Sequence, residues 1–431
     1  MSTLIPPHAV ILSLSNWLGA SRLPKAFQRA GWEVSTLSFP SLLLDRCRST
    51  SAQFFLPDRG SEEDLVAAAR QALVAIRPTI VIPGDEAATE LLQAVAATAC
   101  RELPEGDPLL VLLRDSLGDF SKHAVLRDRR ALADLAARLG VRAPAHAVVC
   151  SKDEAYAFAE KHGMLVVLKA EESFAGLGVS ICKDRDALDA ALTRLVAKTP
   201  HALSNGVLLQ SFVPGTTTMR TVVAWRGQVL AGLSAIKVET HPSPTGPSSV
   251  VEFIEHPEMM KTVQQMIAAL GFSGFASLDF IKDSAGDAHL LELNARPTPI
   301  CHLGHYLGQD LCLRLREAVL GIAGSDCEPA GLPKKVVLFP QEWIRNPNSP
   351  HFNDAFHDVP WEDPDLVEAL VILARGQMRW GEWSLQEARR ERMRQLLTRI
   401  DVPDALRDTR RGDAPRDTRR GDALRDTRRG A

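Results

Sequence analysis

Residues 276–297 read as two short strands joined by a polar, glycine-containing turn, the signal of a β-hairpin. Side chains alternate across a strand, so Glu292, Asn294 and Arg296 are expected on one face and Leu291, Leu293 and Ala295 on the other. In the first strand Leu278 and Phe280 point to a core while Asp279 turns to the opposite side. Two carboxylates and an amide oxygen then converge. These are hard oxygen donors suited to Mg²⁺, which keeps several waters and takes substrate phosphates as further partners. Arg296 adds a cation whose planar fork can hold a carboxylate or a phosphoryl group. An amphipathic hairpin with a solvated face fits the same stretch, so the residues upstream have to weigh between the two readings.

Residues 165–170 form an apolar run whose only charge, Lys169, stands near its end, an expensive place for a lysine unless it meets an anion. The loop that follows holds Gly176 and Gly178, which let backbone N–H groups approach a phosphate closely; a plain hairpin turn is the competing reading. Earlier, Asp119-Phe-Ser-Lys122 opens a helix with Ser121 as N-cap, Leu132, Leu135 and Leu139 as its apolar stripe, and Gly140 as its stop. Residues 220–224 and 229–236 form a hairpin about Gly227 that Lys237 ends. Residues 241–249, rich in Pro, Gly and Ser, make a substrate-facing loop.

Asp279, Glu292-Leu-Asn294 and Arg296-Pro297, preceded in order by Lys122, Lys169, the glycine loop and the segment 207–215, resemble the ATP-grasp superfamily of ATP-dependent carboxylate–amine ligases. The resemblance runs from about Val10 to Leu320. It implies an α/β chain in which a small parallel-sheet domain precedes an ATP-grasp catalytic region of α+β character, with a C-terminal accessory segment. It also implies that Asp279, Glu292 and Asn294 hold Mg²⁺ (or Mn²⁺) against the phosphates of ATP, and that Lys122, Lys169 and the Gly176/Gly178 loop contact the nucleotide. Gln210 and Val213 fall in the linker that reads adenine, Gln210 standing where many relatives carry an acidic residue. Lys237 corresponds to a lysine near the transferred phosphate, and Arg296 to the arginine beside the acyl-phosphate centre. The implied activity is an ADP-forming ligase that joins a small-molecule carboxylate to an amine, an amino acid or small acid being the expected substrate, through an acyl-phosphate intermediate. The alternatives are a bicarbonate-dependent carboxylase or carbamoyl-forming enzyme, and a nucleotide-binding module without catalysis.

The N-terminal part supports the same architecture from its own pattern. Residues 9–14, 33–37 and 79–83 read as strands, and 22–30, 62–76 and 90–100 as helices. Such alternation argues for a parallel sheet covered on both faces. Ligands of such sheets favour loops at strand C-terminal ends, which makes residues 15–21 and 84–86 candidate lining segments, with Gly19 more a turn residue than a phosphate cradle. The expected division is 1–118, 119–325 (119–206 and 207–325), an accessory segment 326–403, with helices at 364–374 and 384–397, and a tail 404–431. The tail repeats Arg-Asp-Thr-Arg-Arg-Gly without an apolar face and is expected to be disordered and dispensable.

A chain of 431 residues, 45% of them hydrophobic, can bury more than one core. A formal net charge of −3 gives no reason to expect nucleic acid as a partner. The seven cysteines contain no CxxC pair, which argues against a zinc site or a disulfide framework and for a reduced, cytoplasmic setting. No apolar run approaches a membrane span, so no membrane partner is expected, and a homo-oligomer is left open. His302 and His305, three apart without a third ligand nearby, are expected to face substrate or serve structure rather than bind metal.

Overall fold

The computed structural model describes residues 5–169, 179–242, 246–325, 327–329, 331, 333–376, 392–393 and 395–397. The Gly176/Gly178 loop, most of the helix expected at 384–397 and the repeated tail therefore lie outside the described residues.

Four parallel strands, β1 (His8–Ser13), β2 (Glu33–Ser38), β3 (Ala52–Phe55) and β4 (Ile80–Pro83), form the N-terminal sheet in the order β3-β2-β1-β4. Both faces are covered, as apolar parallel strands require. Ala9 and Ile11 of β1 enter a core with Phe27 and Phe275, while Val10 and Leu12 enter a second with Leu73, Leu91 and Leu113. The helix Glu62–Ile76 has its expected bounds, set by a capping box between Ser61 and Asp64. Two helices depart from expectation. Residues 22–30 do not form one helix with a clean start: Leu18–Ser21 ends at Arg22 and Leu23–Arg29 restarts, because Pro24 has no N–H with which to continue the ladder. The helix read as 90–100 runs over Glu86–Glu102, since the Asp85 carboxylate caps it by accepting from the Ala88 N–H.

A smaller antiparallel sheet comprises β5 (His146–Val149), β6 (Val166–Lys169), β7 (Val179–Cys182) and β8 (Val207–Ser211) in the order β5-β8-β6-β7. Val166, Leu168, Val207 and Leu209 pack on the helices Lys152–His162 and Arg185–Lys198. Period-two alternation then turns Val167, Lys169, Leu208 and Gln210 to the opposite face.

The central sheet has seven strands: β9 (Thr216–Trp225), β10 (Gln228–Thr240), β11 (Ser248–Ile254), β12 (Gly274–Lys282), β13 (Ala288–Asn294), β14 (Lys335–Leu338) and β15 (Phe356–Asp358). Their order is β13-β12-β9-β10-β11-β14-β15. One face packs on the helices Arg129–Arg138 and Pro257–Leu270. The other merges with the core of the N-terminal sheet through the helix Leu311–Leu320. The hairpin about Gly227 forms as expected, but β10 continues past Lys237 to Thr240, so Lys237 lies inside the strand rather than at its end.

The segment read as an accessory cover contributes β14 and β15 to this sheet, and its helix Pro364–Ala374 places Leu366, Leu370 and Leu373 on Leu18, Leu43 and Cys47. Arg22 reaches across to Asp358 at 2.6 Å, and His302 Nε2 lies 2.9 Å from the same carboxylate oxygen. His302 is therefore a buried structural histidine. Among the described residues no helix is long and apolar enough to cross a membrane.

Candidate active site

The hairpin brings its polar groups together, though not by simple alternation. Asp279 pairs with Glu292 and Ser277 with Asn294, but the next pair is Phe280 with Leu290, which leaves Leu291 as an extra residue in a β-bulge. Leu290 and Leu293 are the core residues, and Leu291 is only half-buried, contrary to the expected Leu291/Leu293/Ala295 face. Glu292 and Asn294 follow the bulge, so they keep the face of Asp279.

From β10, Lys237 Nζ comes within 2.5 Å of Asp279 Oδ2. Asn294 Nδ2 donates to Glu292 Oε1 at 3.3 Å, and Arg129 Nη2 lies 4.0 Å from Glu292 Oε2. Lys169 enters from the smaller sheet and is 7% exposed. Burial pushes its ammonium down to about 8; the charges of Glu292 and Asp279 oppose that shift and Arg129 adds to it. Burial acts to raise Glu292, but Arg129, Lys169 and Lys237 outweigh it and hold the group ionised, well below its ordinary range. Asp279 is pushed up by burial and by Glu292, against the pull of Lys237. The cleft between the two sheets thus holds two carboxylates, an amide and several cations in mutual range.

No group of three or more His, Cys, Asp or Glu side chains among the described residues is placed to hold a metal alone. Two carboxylates and an amide oxygen suit Mg²⁺ whose remaining positions are filled by water and phosphate.

Arg296 follows β13 and is 8% exposed. Its guanidinium carbon lies 4.1 Å from the ring centroid of Trp17, and its Nε faces the carboxylate of Glu86 in an ion pair. Trp17 Nε1 also donates to the Pro297 carbonyl at 3.0 Å. Both partners come from the segments after β1 and β4 expected to line the site, Glu86 as the first residue of the helix Glu86–Glu102. Gly19 is explained by close approach rather than by a turn: a Cβ there would lie 2.9 Å from the Thr298 carbonyl carbon and 3.1 Å from the Pro297 oxygen. Neighbouring Asp85 is structural, its Oδ2 accepting from Ser13 Oγ at 2.7 Å, from the Leu14 and Ser15 N–H groups at 2.9 and 3.0 Å and from Ser15 Oγ at 2.9 Å.

Lys122 ends the 3-10 turn Phe120–Lys122, half-buried; among the described residues it forms no ion pair with Asp279 or Glu292. The cap of that turn is Asp119, which accepts from the Ser121 N–H, so the expected N-cap Ser121 is a donor. An aspartate's acceptor oxygens reach the N–H two residues on as readily as a serine hydroxyl would. Gln210 is buried on the cleft face of β8, and Val213 lies half-buried just beyond that strand. Sequence reasoning missed Arg129, and it marked the segments 15–21 and 84–86 without singling out Trp17 and Glu86 in them. Arg129 is one of several arginines in residues 127–138 and carries no distinguishing pattern. For Trp17 and Glu86 the available signal was their place in the segments that follow strand C-terminal ends.

The family model described as the carbamoyl-phosphate synthase L chain, ATP binding domain, matches residues 128–224. A search of curated proteins gives no match. Among solved structures, the biotin carboxylase domain of 2-oxoglutarate carboxylase from Hydrogenobacter thermophilus, in complex with MgADP and bicarbonate, is 15% identical with a TM-score of 0.56 and covers 74% of this chain and 71% of its own. The N5-carboxyaminoimidazole synthetase from Staphylococcus aureus, complexed with ADP, is 13% identical with a TM-score of 0.52, covering 75% and 80%. The L-amino acid ligase from Bacillus licheniformis is 20% identical with a TM-score of 0.50, covering 73% and 75%.

Proposed function

We propose that this chain, an ATP-grasp protein by its fold, is an ADP-forming ligase that joins a small carboxylic acid to an amine. The observation that carries this reading is the facing of Asp279 and Glu292 in a cleft that also holds Lys169, Lys237 and Arg129, an electrostatic pattern matched to a polyphosphate with a divalent cation. Asp279, Glu292 and Asn294 would hold Mg²⁺, which when bound neutralises phosphate charge and polarises the γ-phosphoryl group.

The chain's own residues then do three things. Lys169 and Lys237 compensate charge on the phosphates, and the cleft face of the smaller sheet, with Gln210, covers the nucleotide. Arg296 holds the acid so that a carboxylate oxygen attacks the γ-phosphorus, breaking its bond to the β-γ bridging oxygen and releasing ADP. The amine nitrogen next attacks the acyl carbon of the resulting acyl phosphate; phosphate departs and the nitrogen loses a proton. Arg296 is suited to charge that builds on the acyl-phosphate group in both steps.

An acid labelled with heavy oxygen in its carboxylate should deliver one labelled atom to the released phosphate. Label arriving only from bicarbonate would favour a carboxylase, and phosphate oxygen from water alone would mean hydrolysis. Glu292→Ala should abolish turnover while the protein remains folded, because a half-exposed strand position tolerates Ala; a folded variant with near-normal ADP formation would remove Glu292 from the site.

A further inference from the structure

A small cavity between the N-terminal sheet and the central sheet is bordered by two buried acceptors. Gln93 stands in the helix Glu86–Glu102, and His123 begins the short helix His123–Arg127 directly after Lys122. Both line a cavity of about 10 Å³ whose walls also include Leu117, Phe272 and Phe275. Gln93 is 3% and His123 6% exposed, and among the described residues neither Gln93 Oε1 nor His123 Nε2 has a hydrogen-bond partner. Burial, with Arg127 adding to it, lowers the His123 pKa to about 3, so the ring is neutral at pH 7. Its other nitrogen, Nδ1, bonds the Leu117 carbonyl and therefore carries the proton, which leaves Nε2 with a lone pair to offer.

Two acceptors cannot satisfy each other, and a buried acceptor without a donor is costly. The donor that suits both carries two protons, fits a space about one water in size, and is uncharged, since Arg127 already places positive charge near the ring. Purely apolar cavities of this kind stay dry, whereas two polar partners are enough to hold a water. We propose that one buried water binds here and donates to both Gln93 Oε1 and His123 Nε2, tying the helix Glu86–Glu102 to the turn that carries Lys122. Thr89, one turn earlier on the same helix, donates to the Ala295 carbonyl at 3.2 Å. One helix of the N-terminal unit thus grips the chain beside Lys122 through the water and the residue before Arg296 directly. The water site is independent of the ligase reading.

The test is a high-resolution crystal structure of the full chain, grown without ammonium salts, beside that of Gln93→Leu, which keeps the side-chain bulk and removes the acceptor. The unmodified protein should show one water within about 2.7–3.2 Å of both atoms, and the variant should show none. A cavity without that water, a water bonded to only one of the two atoms, or a Gln93 amide in direct contact with His123 Nε2 would each overturn the proposal, as would a water retained in Gln93→Leu. In solution, ¹⁵N spectra of the histidine-labelled protein, with the His123 signals identified by their loss in His123→Asn, should place Nε2 upfield as a hydrogen-bonded acceptor and move it downfield in Gln93→Leu. An Nε2 signal that is the same in both folded proteins would overturn the bridge. Amide hydrogen exchange at residues 121–124 should quicken by at least about fivefold in Gln93→Leu, the equivalent of one lost hydrogen bond. Exchange at the original rate would overturn the hold on the Lys122 turn.

Discussion

Lys169 is a buried ammonium whose pKa is pushed down to about 8. Near pH 9 it is mostly neutral in the free protein, and a triphosphate placed beside it favours the charged form. Nucleotide binding should therefore take up close to one proton at pH 9 and almost none at pH 7. Calorimetric titration in two buffers of different ionisation enthalpy measures this directly. Lys169→Met should remove the uptake at pH 9, and an unchanged uptake in that variant would assign the titration to another group. Lys169 was legible in the sequence because a single charge in an apolar strand has to meet an anion. Arg129, which helps to hold Glu292 ionised, was not, because nothing local separates it from the arginines around it. Side chains that act across a cleft carry their meaning in the partner, and the partner is remote in sequence.

At the scale of elements, the hairpin that carries Asp279, Glu292 and Asn294 was readable and its bulge was not. A bulge is a property of two paired strands, so alternation along one strand assigned Leu291 to a core position that belongs to Leu290. Leu290→Ala should cost about 2–5 kcal/mol, as filled-core truncations do. Leu291→Ala should cost about 1 kcal/mol or less, because its side chain leaves water only in part. Denaturant titration of the two variants decides the order, and the reverse order would mean regular pairing. The contact of Gly19 with the backbone of Pro297–Thr298 is equally invisible to local reading. Gly19→Ala forces that backbone away and should destabilise the protein by about 1–3 kcal/mol. It should also lower kcat, because Arg296 immediately precedes the displaced residues. A folded, fully active Gly19→Ala protein would count against a rigid seam.

Across the whole molecule, β1, β2 and β4 of the N-terminal sheet followed from pattern, whereas the edge strand β3 and the sheet membership of the C-terminal segment did not. Residues 335–338 look like any short buried strand, and only the tertiary structure reveals the partner β11. The Arg22–Asp358–His302 cluster joins the two ends of that arrangement. With both Arg22 and Asp358 largely buried, Asp358→Ala should cost about 3–5 kcal/mol by leaving an unpaired cation. Burial lowers the pKa of His302, and burial likewise pushes His123 down to about 3. Both are lower in the folded protein than in the unfolded chain, so acidification below about pH 6.5 favours unfolding. Asp358 lies below the usual carboxylate range because Arg22 and His302 outweigh its burial, and it adds a further loss as pH falls below 3.8. Melting temperature should therefore drop from pH 7 to pH 5, and a variant with Gln at both positions 123 and 302 should show a shallower drop. An unchanged slope would assign the acid sensitivity to other groups.

The packing of the helix Pro364–Ala374 onto Leu18, Leu43 and Cys47 also has a bearing on synthesis. A ribosome makes the chain from its N-terminus, so the parallel sheet can form early while the apolar patch around Leu18 waits for a helix translated long afterwards. During that interval the nascent domain presents an uncovered greasy surface, a natural binding spot for a chaperone. A ribosome that stalls before Ala374 leaves the patch bare for good, which would mark the fragment for degradation.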